Sequence, residues 1–274
     1  MKTKTKSTLT VLTECSIMTA LCTVLSIIKL FELPYGGSIT MASMLPIVLI
    51  ATRHGTKVGI GAAACASALQ LLLGLNNLSY FTTWYSIVAI ILLDYVVAFT
   101  VFGLSGAFTG VIKNRATAMV TGAFLASVLR YICHVISGAT VWAGLSIPTG
   151  AALYYSLGYN ATYMIPETIV LLLAVFYIGA SLDVTKRIPT PVLRQKFSTG
   201  ATLLLIFAGF SIFAALVVDT VLVFSKLQNP DAGEFMITGL SDVNWLAVGI
   251  TSASALVISI ALVFISKMLN KKNF

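Results

Sequence analysis

Between residues 130 and 142 an arginine, a histidine, a glycine and a tryptophan recur four apart: Arg130, His134, Gly138 and Trp142. On an α-helix each such step advances about 400°, so the row drifts by only about 40° per step. The four side chains share one face, as a slanting stripe roughly 18 Å long. A second stripe follows at Tyr155, Tyr159, Tyr163 and Glu167, with Ser156 and Asn160 beside it. A third stretch carries Trp84 and, further along, the adjacent pair Asp94-Tyr95. Aromatic faces attract cations, tryptophan most strongly, and a buried carboxylate supplies a counter-charge. Together these groups suit the capture of a small, flat, cationic ligand.

The elements that must position them are membrane helices. The 274 residues are 58% hydrophobic and 9% charged, with a mean hydropathy of +0.98. Apolar runs predict helices near 9–31, 41–52, 56–75, 82–108, 116–145, 156–181, 199–224 and 245–269. The second is short for a full crossing, so the PYGGSIT stretch before it is expected to dip inward. The fifth, near 30 residues or roughly 45 Å, must tilt or project. The net charge of +8 lies in alternate loops: Lys2, Lys4 and Lys6; Arg53 and Lys57; Lys113 and Arg115; Lys186, Arg187, Arg194 and Lys196; Lys267, Lys271 and Lys272. The other loops carry only Lys226. The positive-inside rule then predicts eight spans with N and C termini cytoplasmic. The basicity is an orientation signal, and no nucleic-acid partner is expected.

The N-terminal apolar run is longer than a signal-peptide core and lacks a small-x-small cleavage site, so it is read as the first helix. The basic, proline-bearing stretch 183–198 divides the chain into a core at 1–182, a cytoplasmic linker at 183–198 and a two-helix extension at 199–274. All four cysteines lie in apolar segments without CxxC spacing, which argues against a disulfide or zinc framework. No phosphate-loop, HExxH or hydrolase signature occurs. Cys133 and His134 are neighbours on a helix and point about 100° apart. The chain is therefore not expected to be an enzyme or to need a cofactor or metal.

Ionisable groups inside a span face the bundle interior or a cavity. Glu14, Lys29 and Asp219 lie near predicted ends, where snorkelling accounts for them. Asp94, Arg130, His134 and Glu167 have no such escape. Counting about 1.5 Å per residue puts Trp142, Trp84, Tyr155, Tyr159 and Asn160 in the outer third and His134 near 15 Å down. Asp94, Arg130 and Glu167 fall slightly deeper. The expected layout is an aromatic mouth over a charged floor. With both carboxylates ionised beside Arg130, that floor carries one net negative charge. Alternatives stand beside this: the aromatics fit an interfacial belt, Arg130 and Asp94 fit a structural ion pair, and His134 fits an interhelical hydrogen bond.

Four stretches resemble the thiamine-specific substrate-binding (S) component of energy-coupling factor (ECF) vitamin transporters. They are PYGGSITMASMLPI at 34–47, LLDYVVAF at 92–99, LRYICHVISGATVWAG at 129–144 and YYSLGYNATYM at 154–164, in the family's order. The resemblance covers roughly residues 8–182. It implies an all-α integral membrane fold, a six-helix S-component-like bundle, here with two additional C-terminal transmembrane helices. It also implies thiamine capture from outside the bacterial cytoplasmic membrane, and docking to a transmembrane coupling subunit with two ATPase subunits. Carried over by position, the ligand contacts are Trp84, Asp94, Tyr95, Arg130, His134, Gly138, Trp142, Tyr155 and Asn160. Trp142 would stack on a ring and Asp94 would balance the cation. His134, Tyr155 and Asn160 would orient, Gly138 would leave room for a ring, and Arg130 would hold Asp94. Where some relatives place a first-loop tryptophan, this chain has Gly37. Ser16 and Ala20 form a small-xxx-small pair suited to partner docking. The competing expectation is a self-sufficient, proton-coupled carrier using Asp94, His134 and Glu167.

Overall fold

The computed structural model describes residues 8–143, 149–186, 188–192, 199–229, 234–235 and 237–272. Lys2, Lys4 and Lys6, and the linker's Arg187, Arg194 and Lys196, lie outside the described residues. The chain divides into two compact units, Met1–Val192 and Leu193–Phe274.

The first unit is a helical bundle. Helix α1 (Thr8–Ile27) is followed by a hairpin of β1 (Lys29–Glu32) and β2 (Ser38–Thr40). Then come α2 (Leu45–His54) and α3 (Thr56–Leu73), a 3-10 segment at Leu75–Tyr80, and the rod α4 (Trp84–Phe108). Helices α5 (Arg115–Thr140) and α6 (Gly150–Ser181) complete it, with the short antiparallel pair β3 (Leu182–Asp183) and β4 (Thr190–Pro191) after them. The second unit is a helical hairpin, α7 (Thr199–Leu227) and α8 (Trp245–Lys272). Among the described residues, seven helices are long and apolar enough to cross a membrane. The chain is thus an all-helical, multi-span membrane protein.

The second predicted run does not make a span of its own. Helix α2 has ten residues, about 15 Å, against a hydrocarbon core of about 30 Å. The stretch expected to dip inward instead forms the β1–β2 hairpin, and its strand β2 packs on α6. Hairpin and α2 together return the chain to the end from which α1 began, because Arg53 and His54 of α2 reach Glu14 of α1. Arg53 Nε and Nη2 donate to Glu14 at 2.5 and 2.8 Å, and His54 Nε2 lies 2.6 Å from the same carboxylate. Glu14 is therefore clamped between helices, where snorkelling had been expected.

Local chemistry explains where the helices begin and how closely they pack. Asn114 Oδ1 accepts from the Thr117 N–H to cap α5, and Thr149 Oγ1 accepts from the Ala152 N–H to cap α6. A Cβ at Gly122 of α5 would sit 1.9 Å from the Ser105 carbonyl oxygen, so only glycine admits α4 at this distance. The core fills with small and branched side chains, including Ala63, Ala66, Ala98, Ala123 and Ala126 around Phe102 and Met119. Such small residues allow close approach of helices in lipid.

In the second unit, Asp219 of α7 accepts from Ser252 at 2.6 Å and also from Thr251, both on α8. This corrects the snorkelling reading: the carboxylate ties the two helices together, as polar groups do in a medium that offers no water.

Candidate functional site

The ends of α1 and α3, the hairpin, the first half of α4, the second half of α5 and the first half of α6 enclose a cavity of about 860 Å³. That lies within the usual range for small-molecule sites. Residues of the β1–β2 hairpin line it, whereas Glu14, Arg53 and His54 do not.

Asp94 lies in a π-helical turn, Ile91–Val97, within α4. Such wide turns recur at functional sites. The adjacent Asp94 and Tyr95 both reach the cavity wall and then do different work. The Asp94 carboxylate faces three donors of α5 and its end: His134 Nδ1 at 2.8 Å, Ser137 Oγ at 2.8 Å and Trp142 Nε1 at 3.0 Å. Tyr95 is buried; its hydroxyl donates to the Gly74 carbonyl at 3.1 Å and accepts from Asn77 at 3.2 Å, binding α4 to α3 and the segment after it.

Arg130 does not hold Asp94, contrary to expectation. Its Nη1 donates to Glu167 of α6 at 3.2 Å, its Nε donates to His134 Nε2 at 3.2 Å, and its guanidinium lies 4.4 Å from the Phe99 ring centroid. An arginine Nε can only donate, so His134 Nε2 must accept and Nδ1 carries the proton given to Asp94. The histidine, not the arginine, orients the acid. Glu167 also accepts from Thr40 Oγ1 of β2 at 2.7 Å, and Thr40, its one proton so placed, accepts from the Ser43 hydroxyl at 2.8 Å.

Aromatic side chains make up much of the rest of the wall and its surroundings. Trp142 meets Phe81 at 4.8 Å, Tyr80 at 5.7 Å and Tyr35 at 6.0 Å between ring centroids. Tyr155 stacks on Tyr159 at 6.4 Å with an interplanar angle of 4°. Tyr35 sits at φ 66° and Gly36 at φ 90°, a left-handed pair at the hairpin tip that swings the Tyr35 ring toward Trp142. The Gly37 N–H meets the Tyr159 hydroxyl at 3.0 Å, and that hydroxyl donates to the Pro34 carbonyl.

A family described as thiamine transporter protein (Thia_YuaJ) matches residues 12–186 of this sequence. The chain belongs to that family. It is also 37% identical over 171 residues to the thiamine transporter ThiT of Bacillus subtilis (strain 168), across 58% of this chain and 84% of that protein. In this thiamine transporter family member, eight of the nine sequence-predicted contacts line one cavity: Asp94, Tyr95, Arg130, His134, Gly138, Trp142, Tyr155 and Asn160. Trp84 does not. It is 75% exposed and packs edge-on against Tyr85. The rings that meet Trp142 from this part of the chain are Tyr80 and Phe81, in and just after the preceding 3-10 segment.

Two further residues do other work than expected. A Cβ at Gly138 would fall 2.2 Å from Ser156 Oγ, so this glycine admits α6 to α5. Asn160 is engaged within the protein: Nδ2 donates to the Ser156 carbonyl at 2.9 Å, and Oδ1 accepts from Tyr163 at 2.7 Å. A side chain at Gly37 would meet Tyr159 and Tyr163 at 2.8 Å, and the first-loop ring that reaches Trp142 is Tyr35. Sequence reasoning missed Tyr35, Tyr80, Phe81, Ser137, Thr40 and Gln70 as wall residues or neighbours of the wall. Only Ser137, three residues from His134 on the striped helix, had a periodic signal. Gln70 Nε2 is buried with no hydrogen-bond partner among the described residues. Ser16 and Ala20 lie exposed on α1.

Proposed function

We propose that this chain is the thiamine-binding membrane component of an ECF-type importer, taking thiamine from outside the bacterial cytoplasmic membrane. The observation that carries this reading is the Asp94 carboxylate, fixed by His134, Ser137 and Trp142 in an aromatic-walled cavity. With His134 neutral, Asp94, Glu167 and Arg130 sum to one formal negative charge, which a thiazolium cation balances. Trp142 and its ring neighbours offer faces for a flat heterocycle. The membership of a thiamine transporter family and the similarity to a Bacillus subtilis thiamine transporter support the same ligand.

In this reading residues 1–182 form the six-helix core, with α2 and its hairpin counting as the second crossing. Residues 183–198 are the linker and 199–274 the two-helix extension. Both termini are cytoplasmic, which puts the cavity mouth outside. Asp94, Arg130, His134, Trp142 and Tyr155 serve the ligand by contact or by positioning, Tyr95, Gly138 and Asn160 shape the wall, and Trp84 stands outside the cavity. The exposed face of α1 with Ser16 and Ala20 docks a transmembrane coupling subunit, which two ATPase subunits energise. No phosphate-binding loop occurs in this sequence, so ATP-driven uptake would take its energy from a partner. Liposomes holding this chain alone are expected to bind thiamine without accumulating it under a pH gradient. Accumulation by the chain alone would refute the proposal and favour a proton-coupled carrier.

A further inference from the structure

Lys29 and Glu32 of the hairpin line the cavity and pair with each other at 2.5 Å; that leaves two carboxylates, Asp94 and Glu167, and one guanidinium, and their pairing is unequal. Arg130 Nη1 lies 3.2 Å from Glu167, and both side chains are about nine-tenths buried. Asp94 has no guanidinium or ammonium among its three donors, which are a histidine, a serine and a tryptophan. Glu167 is held from a second direction by Thr40 of the β1–β2 hairpin. Beneath the ion pair, Ser43, Arg130 and Glu167 also border a small apolar recess with Met44, Phe102 and Leu171. The pair thus closes the floor between the cavity and the bundle core.

Two like carboxylates beside one cation could divide its charge evenly, leaving neither as a strong counter-ion. Here the sharing is resolved by distance. From this geometry we infer that Glu167 is a positioning residue that sets the selectivity of the site for a cation. It neutralises Arg130, so that Asp94 keeps a full negative charge for the ligand. Without Glu167, the unbalanced guanidinium would lie one histidine away from Asp94, since Arg130 Nε already reaches His134 Nε2 at 3.2 Å. The site would then be neutral overall, and its preference for a cation over a neutral ring would fall. This inference rests on the reading of the cavity as a thiamine site.

The test is calorimetric titration of the detergent-purified full chain with two ligands. One is thiamine; the other is an uncharged analogue whose thiazolium is replaced by a neutral aromatic ring of equal size. The readout is the ratio of the two affinities, which a purely structural defect would leave in place because it weakens both ligands alike. Glu167→Gln is expected to lower the ratio about tenfold, the scale of one unit charge at roughly 10 Å and an effective dielectric of about 20. Arg130→Gln carries the opposite charge change and is expected to raise the ratio by a similar factor. The double variant Arg130→Gln/Glu167→Gln returns the formal charge to minus one and is expected to restore the ratio. An unchanged ratio in whichever single variant folds overturns the inference while the thiamine reading stands. Wild-type protein that binds neither ligand, or prefers the neutral one, overturns the thiamine reading and the inference with it.

Discussion

Replacing Asp94 with asparagine removes the cavity carboxylate that, among the described residues, no lysine or arginine pairs with, while keeping the size of the side chain. In the native protein this group accepts from His134, Ser137 and Trp142 at 2.8 to 3.0 Å. An amide has a single acceptor oxygen, so its NH2 must face at least one of those donors. The ligand effect is separable from that local disorder. A cation about 5 Å from a carboxylate, at an effective dielectric of about 20, gains about 3 kcal/mol. Part of that is lost to desolvation, so Asp94→Asn is expected to weaken thiamine by about 2–3 kcal/mol, roughly 30- to 150-fold. Calorimetric titration measures this directly, and thermal unfolding of the unliganded protein reports whether the fold survives. A variant that folds and binds thiamine within threefold of wild type would refute the role given to Asp94.

Gly138→Ala places a methyl 2.2 Å from Ser156 Oγ; thermal unfolding is expected to show a loss of about 1–3 kcal/mol, recovered in Gly138→Ala/Ser156→Gly. Glu14→Ala leaves Arg53 and His54 without their carboxylate; with Glu14 partly exposed, the cost is expected near 3 kcal/mol in denaturant unfolding, with little change in thiamine affinity measured on folded protein. Gln70→Leu removes a buried donor with no partner among the described residues and is expected to leave stability unchanged or raise it, as a thermal shift would show. At Asp183, desolvation pushes the carboxyl up, but hydrogen bonds from Thr185 and the nearby Arg115 outweigh it and hold the group below its ordinary range. Its contribution is therefore full above the unfolded carboxylate value near 3.9 and is lost as pH falls through the lower folded value. Asp183→Asn is expected to cost under about 1 kcal/mol at pH 7 and nothing at pH 2, by denaturant titration at the two pH values.

Much of this arrangement was legible because α-helices repeat. Arg130, His134, Gly138 and Trp142 share a face by spacing alone, and all four line the cavity. Apolar run lengths located α1, α3, α4, α5, α6, α7 and α8, because a bilayer demands unbroken apolar stretches. Counting residues gives depth but not azimuth, and for that reason Arg130 was assigned to Asp94 when it faces Glu167. The π-turn around Asp94 left no sequence signal, since an extra residue per turn alters hydrogen bonding and not composition. Tyr35, Tyr80 and Phe81 lie at a hairpin tip and in or beside a 3-10 segment, where no period projects a side chain. Gly138 was read as space for a ligand, but helix α6 fills that space. Residues of the two striped helices were mostly found; those placed by the chain between helices were not.

In the function proposed, the cavity that Asp94 and Trp142 share holds thiamine. Of the three tryptophans, Trp84 and Trp245 are exposed, whereas Trp142 is partly buried in the wall. In a Trp84→Phe/Trp245→Phe background, Trp142 is then the sole indole reporter. Titrating that protein with thiamine is predicted to give a saturable quench at micromolar concentrations or below, with one ligand per chain. Unchanged emission, with no thiamine retained in equilibrium dialysis of the wild-type chain, would contradict it.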